Sequence, residues 1–389
     1  MATSPTRNLR FPGLREKARK SAVLFRRQVT QWATADSSVP TGAKVLVYNP
    51  YMSVLGGGER YTFALAAHLR QRCEVTLASQ MLPPLDRMRK LGFPTTYVFK
   101  TIPLAYFSEV SEDYDAVVNV TTIPPAPSLA RQSFLVVQFP ERPLDPRLSI
   151  RLRQYFGIWS YRRCIVYSAF VRRWLRLRWH RHATVLNPLI KLGAFDSSQK
   201  QNLILSVGRF FASRHCKRQD VLIEAYKMLP RTIRDTWRLV LAGGVEDNEE
   251  DLAYLKRLQQ DAAGHNIEID IDVPQFRLEE LYRHASLFWH ATGFGRLTTE
   301  PEKAEHFGMT TLEAMSFGAV PMVFPDGGQL EIVTPSVGLF WRTTTELAQL
   351  TERLAESPDH RTALARNAAE ASKGYGGSHF QQVSADVFG

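Results

Sequence analysis

Short runs of apolar, mostly β-branched residues alternate with longer segments of helical period along this chain, and the alternation starts twice. KVLVYNP (44–50), EVTLAS (74–79), TTYVF (95–99), DAVVNV (115–120), FLVVQF (134–139) and CIVYS (164–168) make a first series. After the polar stretch DSSQKQN at 196–202, LILSVGRF (203–210), RLVLAGG (238–244), IEIDIDV (267–273), LFWHA (287–291) and VPMVF (320–324) make a second. Continuous apolar runs suit strands buried on both faces, and the helical segments between them supply the crossovers that parallel strands need. An α/β chain with two Rossmann-like doubly wound domains follows, facing each other across a cleft. The chain has 389 residues, which suits two domains better than one. The expected division is a basic amphipathic extension over 1–40, an N-terminal domain over 41–195, a C-terminal domain over 196–360, and a helix with a polar tail over 361–389 whose last dozen residues fray.

Ligands of open parallel sheets bind beyond the carboxyl ends of the strands, so the loops after these runs are the places to seek chemistry. In residues 305–333, Glu305 and Glu313 stand eight apart with a small-residue turn at Phe307-Gly308 between them. A helix beginning near Gly308 would aim the amides of Met309, Thr310 and Thr311 at the crevice, where free N–H groups and the helix dipole favour phosphate. Glu313, just over one turn in, is placed to accept from a ribose hydroxyl pair, and Glu305, ahead of the helix, to face a sugar. In residues 206–229 a strand ends at Gly208, Arg209 follows at once, and Lys217 precedes an amphipathic helix. Two cations at a strand end suit a departing diphosphate, on which charge builds as its glycosidic bond breaks. The turn Gly56-Gly57-Gly58, before the helical run YTFALAAHL, permits positive φ and close approach of a ligand to the backbone. It is not GxGxxG, and Ser79 stands where a dinucleotide fold places an acid. Asn49 and Tyr51, with Tyr48 before them, follow the first strand and are acceptor-side candidates. His290 and Gly293-Phe294-Gly295, after LFWHA, are placed to shape a sugar pocket.

Together these stretches resemble the family 4 retaining glycosyltransferases of the GT-B fold, over roughly residues 44–360. The family's glycine-rich loop, its GR…K pair, its Glu-x7-Glu motif and its GG-x-x-E element are matched by Gly56 to Gly58, Arg209 with Lys217, Glu305 with Glu313, and Gly327-Gly328 with Glu331. The resemblance implies that Glu305 contacts the donor sugar, Glu313 the ribose, and Arg209 with Lys217 the diphosphate, with Glu331 closing the donor site and a C-terminal helix crossing back to the N-terminal domain. It implies a glycosyltransferase that needs no metal and no cofactor, carrying a sugar from a nucleoside diphosphate donor to a surface glycan or lipid-linked acceptor. Two departures stand out. The interval from Arg209 to Lys217 is longer than usual, leaving Arg214 or Arg218 as substitutes. Gln138 stands where the family often has a histidine, and its amide is a hydrogen-bonding group without a base's function. Asp270-x-Asp272 looks like a manganese signature, but it lies within an alternating strand.

The net charge of +11 calls for a polyanionic neighbour. Residues 7–27 carry eight basic side chains against Glu16 alone, and residues 151–182 carry nine arginines and no acid. With Trp159, Trp174 and Trp179 interleaved, the second run suits an anionic membrane surface, as does the basic helix before the first strand. Nucleic acid is not expected as a partner, because a nucleic-acid binder leaves Glu305, Glu313 and the glycine turns without a purpose. A catalytically silent glycan-binding protein on the same scaffold remains the alternative. Cys73, Cys164 and Cys216 show no metal or disulfide spacing. No run of about 20 apolar residues and no secretory signal is read, so the expectation is a cytoplasmic protein, peripheral on the inner face of the membrane.

Overall fold

A computed structural model describes residues 38–389, residue 214 excepted. The basic helix expected before the first strand, and Arg214, lie outside the described residues. Strands β1 (Lys44–Tyr48), β2 (Glu74–Ser79), β3 (Val98–Thr101), β4 (Ala116–Thr121), β5 (Gln132–Val137), β6 (Arg163–Val166) and β7 (Thr184–Val185) form one sheet in the order β3-β2-β1-β4-β5-β6-β7. Strands β8 (Gln201–Val207), β9 (Arg238–Gly243), β10 (Ile267–Ile271), β11 (Ala285–His290), β12 (Val320–Val323) and β13 (Leu339–Phe340) form a second, ordered β10-β9-β8-β11-β12-β13. Every neighbouring pair is parallel.

Both orders reverse beside their first strand, β1 against β4 and β8 against β11, which opens a crevice at each carboxyl end. The central strands are dry: Val45, Leu46 and Val47 of β1 and Leu203, Ile204 and Leu205 of β8 are fully buried. Helices cover them, and those used below are α1 (Gly57–Arg70), α2 (Leu148–Trp159), α3 (Ala169–Trp179), α4 (Gln219–Lys227), α5 (Gln275–His284), α6 (Met309–Ser316), α7 (Gln329–Ile332), α8 (Pro358–Ser372) and α9 (Gly377–Phe388).

Three details depart from the sequence reading. The run at 95–99 pairs later than its apolar residues suggest, over Val98–Thr101 at a sheet edge. Strand β10, also an edge, is half-buried throughout, and this explains its alternation: Glu268 and Asp270 point outward to Arg238 and Arg277. The chain's end does not fray. Helix α9 returns to the first sheet, where Phe380, Val387 and Phe388 join the core of Val45, Leu65 and Leu69. Phe388 packs at a tilt against Phe134 with centroids 4.8 Å apart, its carbonyl accepts from Val39 N–H at 2.7 Å, and Arg163 Nη1 donates to the Val387 carbonyl at 2.6 Å. Burying a phenylalanine fully contributes about 1.5–3 kcal/mol, which outweighs the polar composition of the tail.

Candidate donor site between the two sheets

Loops that leave the carboxyl ends of β1, β5, β8, β9, β10 and β11 converge on one cavity of about 630 Å3. Tyr51, Gly56, Gly57, Gly58, Gln138, Gly208, Arg209, Lys217, Glu305, Gly308, Met309, Thr310 and Glu313 all line it. Glu331 does not.

Helix α6 begins after Gly308, whose φ of 109° only glycine adopts readily; a Cβ there would also stand 2.8 Å from Ile332 Cδ1. Met309 and Thr310, the first two residues of the helix, line the cavity. The Thr311 side chain is buried instead, accepting from Gln329 Nε2 at 2.9 Å. Helix α1 faces α6 from the other domain, and a Cβ on Gly57 would meet Met309 Sδ at 3.0 Å. Two helix N-termini thus share one crevice, and both favour anions there.

Arg209 leaves the end of β8 and lies across Gly56, over the Phe211 ring at 5.1 Å. Its Nη2 is 3.7 Å from Glu59 Oε2 and its Nη1 is 3.9 Å from Glu246 Oε1. Burial lowers its proton affinity, and the two carboxylates oppose that. Lys217 Nζ donates to Glu305 Oε2 at 2.6 Å, and His290 Nε2 donates to the same oxygen at 2.9 Å. Burial alone would raise the Glu305 carboxyl, but Lys217 and His290 outweigh it and leave it well below the usual carboxylate range. Burial likewise keeps His290 below its ordinary value. Of the candidate substitutes for Lys217, Arg218 is occupied elsewhere: its guanidinium holds Asp220 at 3.1 Å and the Phe294 carbonyl at 2.6 Å.

Glu313 accepts from the Tyr282 hydroxyl at 2.8 Å, which fixes one oxygen of its carboxylate. Burial raises its proton affinity, opposed by the charge of Arg60. Arg60 itself crosses the cleft to Gln275 Oε1 at 2.9 Å.

Several expected residues have other duties. Glu331, read as a donor contact, accepts from the backbone N–H groups of Ala169 at 2.9 Å and Phe170 at 2.6 Å, so it caps α3 of the other domain. Its reach is set by the position of α7, which points it across the cleft. His290 supports Glu305 from behind, outside the cavity lining. Phe294, partly buried, packs on Phe324 and Trp341 against the second sheet's core, and the Gly293-Phe294-Gly295 loop does not line the cavity. Asn49 is buried, donating to Thr62 Oγ1 at 2.9 Å, and the Tyr48 hydroxyl donates to the Ile102 carbonyl. Asp270 pairs with Arg277 at 3.5 Å, whereas Asp272 lines the cavity, so the two carboxylates of Asp-x-Asp have different surroundings. Among the described residues no group of three or more His, Cys, Asp or Glu side chains is arranged to hold a metal ion.

Sequence reasoning missed Glu59, His215 and His306. Glu59 was visible as an acid at the third position of a helix, a capping signal. The histidines carried none. Phe139, His306 and His215 stack in a column, with centroids 4.4 and 4.5 Å apart and planes within 11°. Phe139 comes from one domain and the histidines from the other, and Ser168 Oγ donates to the His306 carbonyl at 2.6 Å beside them.

Residues 193–371 match the family model of the glycosyl transferases group 1. No curated protein matches the chain in sequence. Among solved structures it is similar to Anabaena HepE in complex with UDP and glucose, at 16% identity and a TM-score of 0.67 over 88% of this chain and 98% of that one. A glycosyltransferase from Rickettsia africae gives 15% and 0.69 over 89% and 98%. WaaG, a glycosyltransferase involved in lipopolysaccharide biosynthesis, gives 16% and 0.62 over 89% and 99%. At such identities the likeness is one of fold.

Proposed function

We propose that this chain, which has the GT-B fold and whose residues 193–371 match the group 1 glycosyl transferases, moves a sugar from a nucleoside diphosphate donor to a hydroxyl of a surface glycan or lipid-linked acceptor, with retention of anomeric configuration. The observation that carries the reading is the convergence of Arg209, Lys217 and the α6 N-terminus on one cavity with Glu313 at its edge. The cations and amides receive the diphosphate, Glu313 takes the ribose hydroxyls, and Glu305, held by Lys217 and His290, faces the sugar. Retention rests on the resemblance to the retaining family.

The step assigned is a front-face one. The bond from the anomeric carbon to the diphosphate oxygen breaks with its electron pair passing to the diphosphate, where Arg209, Lys217 and the Met309 amide stabilise the charge. The acceptor oxygen bonds to that carbon from the same face and yields its proton to the departing phosphate. No side chain forms a covalent intermediate, and the two cations take the part a metal plays in other glycosyltransferases.

The test is a thermal-shift screen against UDP, GDP, ADP, dTDP and their sugar conjugates without added metal. One nucleotide is expected to stabilise the protein, and Glu313→Ala to remove most of that shift. If Glu313→Ala kept its full affinity, the ribose assignment would fail. Gln138 favours one rival, a silent glycan-binding protein, because its amide cannot take a proton; that rival predicts nucleotide binding without transfer.

On the acceptor side we infer contact with an anionic membrane surface. Leu148, Leu152, Phe156 and Trp159 form one stripe along α2 and are 40% to 62% exposed. Arg153 on the same helix and Arg172, Arg173 and Arg176 on α3 are exposed, in a stretch without acids. An apolar stripe beside solvated arginines suits the headgroup boundary. Of the three tryptophans read as interleaved, only Trp159 takes part. Trp179 is fully buried, donating to the Arg142 carbonyl at 2.8 Å, and Trp174 is half-buried beneath Arg178. No helix among the described residues is long and apolar enough to cross a membrane.

A further inference from the structure

Glu59 is an almost fully buried carboxylate beside the cavity, 3% exposed. Its Oε2 accepts from the Gly56 backbone N–H at 2.7 Å, and its Oε1 accepts from Asn49 Nδ2 at 3.4 Å. Arg209 Nη2 stands 3.7 Å from the same Oε2. A backbone amide at a helix N-terminus and a guanidinium are the donors by which proteins hold a phosphate oxygen. The carboxylate therefore sits where an anion is wanted, and supplies one from within the chain.

The arginine comes from the other domain. It reaches so closely over the glycine turn that a Cβ on Gly56 would stand 1.6 Å from its Nη2. A side chain at 56 would push the guanidinium aside, and the contact joins the two domains. Yet Arg209 and Glu59 share no hydrogen bond, whereas Lys217 donates to Glu305 at 2.6 Å. Glu59 thus holds the guanidinium loosely, and a diphosphate with oxygens free to accept directly would take it.

We propose that Glu59 is a placeholder anion for the donor diphosphate, keeping Arg209 over the glycine turn in the empty site, yielding it when nucleotide binds and recapturing it as nucleoside diphosphate leaves. The inference rests on the glycosyl-transfer reading above. Glu59 is a positioning residue, acting through Arg209. A carboxylate that competes for one guanidinium weakens nucleotide binding and speeds its departure, the step that sets turnover in many enzymes that close around their substrates. If Glu59 only capped α1, neutralising it would leave nucleotide binding unchanged or weaker.

The two roles differ in sign, which makes the experiment decisive. Glu59→Gln keeps the volume and an oxygen for the Gly56 amide but loses the charge. Full-length wild type and variant are titrated calorimetrically with UDP, GDP, ADP and dTDP, and donor KM and kcat are measured. The expected result is tighter binding in the variant, by about threefold or more, for whichever nucleotide wild type binds, with KM and kcat falling together. Glu59→Asp, which draws the charge one methylene back from Arg209, is expected to shift affinity the same way by less, and serves if the glutamine variant fails to fold. Unchanged or weaker nucleotide binding in the folded variants overturns the inference and leaves the transfer reading standing. Failure of wild type to bind any of the four overturns both.

Discussion

His306 lies between Phe139 and His215, and its position there makes the site sensitive to acid. Burial pushes its proton affinity down to about 4 from the ordinary 6.5, and burial holds His215 well below its ordinary value too. Between those pH values the unfolded chain binds a proton that the folded chain refuses. The stabilisation is therefore complete above about pH 6.5 and declines as pH falls toward 4. The Glu305 carboxyl is depressed too, so its contribution is present above the carboxylate range and is lost only at lower pH. The melting temperature is expected to drop between about pH 7 and pH 5. His306→Phe, which keeps a ring in the stack, should drop less; an equal drop in both proteins would show that His306 is not the group responsible.

Among the elements, helix termini do most of the positioning. The start of α6 is fixed by Gly308, and the start of α1 by Gly56 and the Glu59 cap. The start of α3 is capped twice, by Ser168 Oγ from its own turn and by Glu331 from the other domain. A carboxylate on two orphan amides stabilises a helix N-terminus through hydrogen bonding and the dipole, by about 1–2 kcal/mol. Glu331→Ala is expected to lower the melting temperature by a few degrees, on the order of 2–4 °C per kcal/mol. Its nucleotide affinity should stay near that of wild type, since the carboxylate lies outside the cavity lining. A calorimetric titration that showed a large loss of affinity would return Glu331 to the donor site, the role that the GG-x-x-E likeness implies.

At the scale of the whole molecule, contacts between the halves collect around the cavity. Arg60 with Gln275, Arg178 with Glu302 at 2.9 Å, and Ser168 with the His306 carbonyl all cross from one sheet's loops to the other's. Polar contacts of this kind can be made and broken as domains close, and closure around a donor excludes water. Helix α9 is different, because its apolar packing ties the chain's end to the first sheet. The α2 stripe belongs to the first domain. Flotation with vesicles containing about a third anionic lipid is expected to carry wild type upward at moderate salt. Leu152→Ser with Phe156→Ser should stay in the lower fractions while keeping nucleotide affinity. Wild type that failed to float would remove the membrane from the acceptor reading.

The sequence by itself determined the two parallel sheets, because buried strands leave continuous apolar runs and their crossover helices leave a different period. It also placed Arg209, Lys217, Glu305 and Glu313 at strand ends and a helix start, since those positions follow from local chain direction. What it lacked was any record of which loops meet. That Arg209 lies over Gly56, that Glu331 caps α3 and that His306 stacks between Phe139 and His215 are pairings between residues 91 to 167 positions apart, with no shared period or spacing. Two-residue strands such as β7 and β13 are too short to carry a pattern. Family likeness implied a helix crossing back, but the tail's polar composition suggested frayed last residues, and only the first sheet's apolar face, reached through tertiary folding, holds Phe380, Val387 and Phe388 in a core.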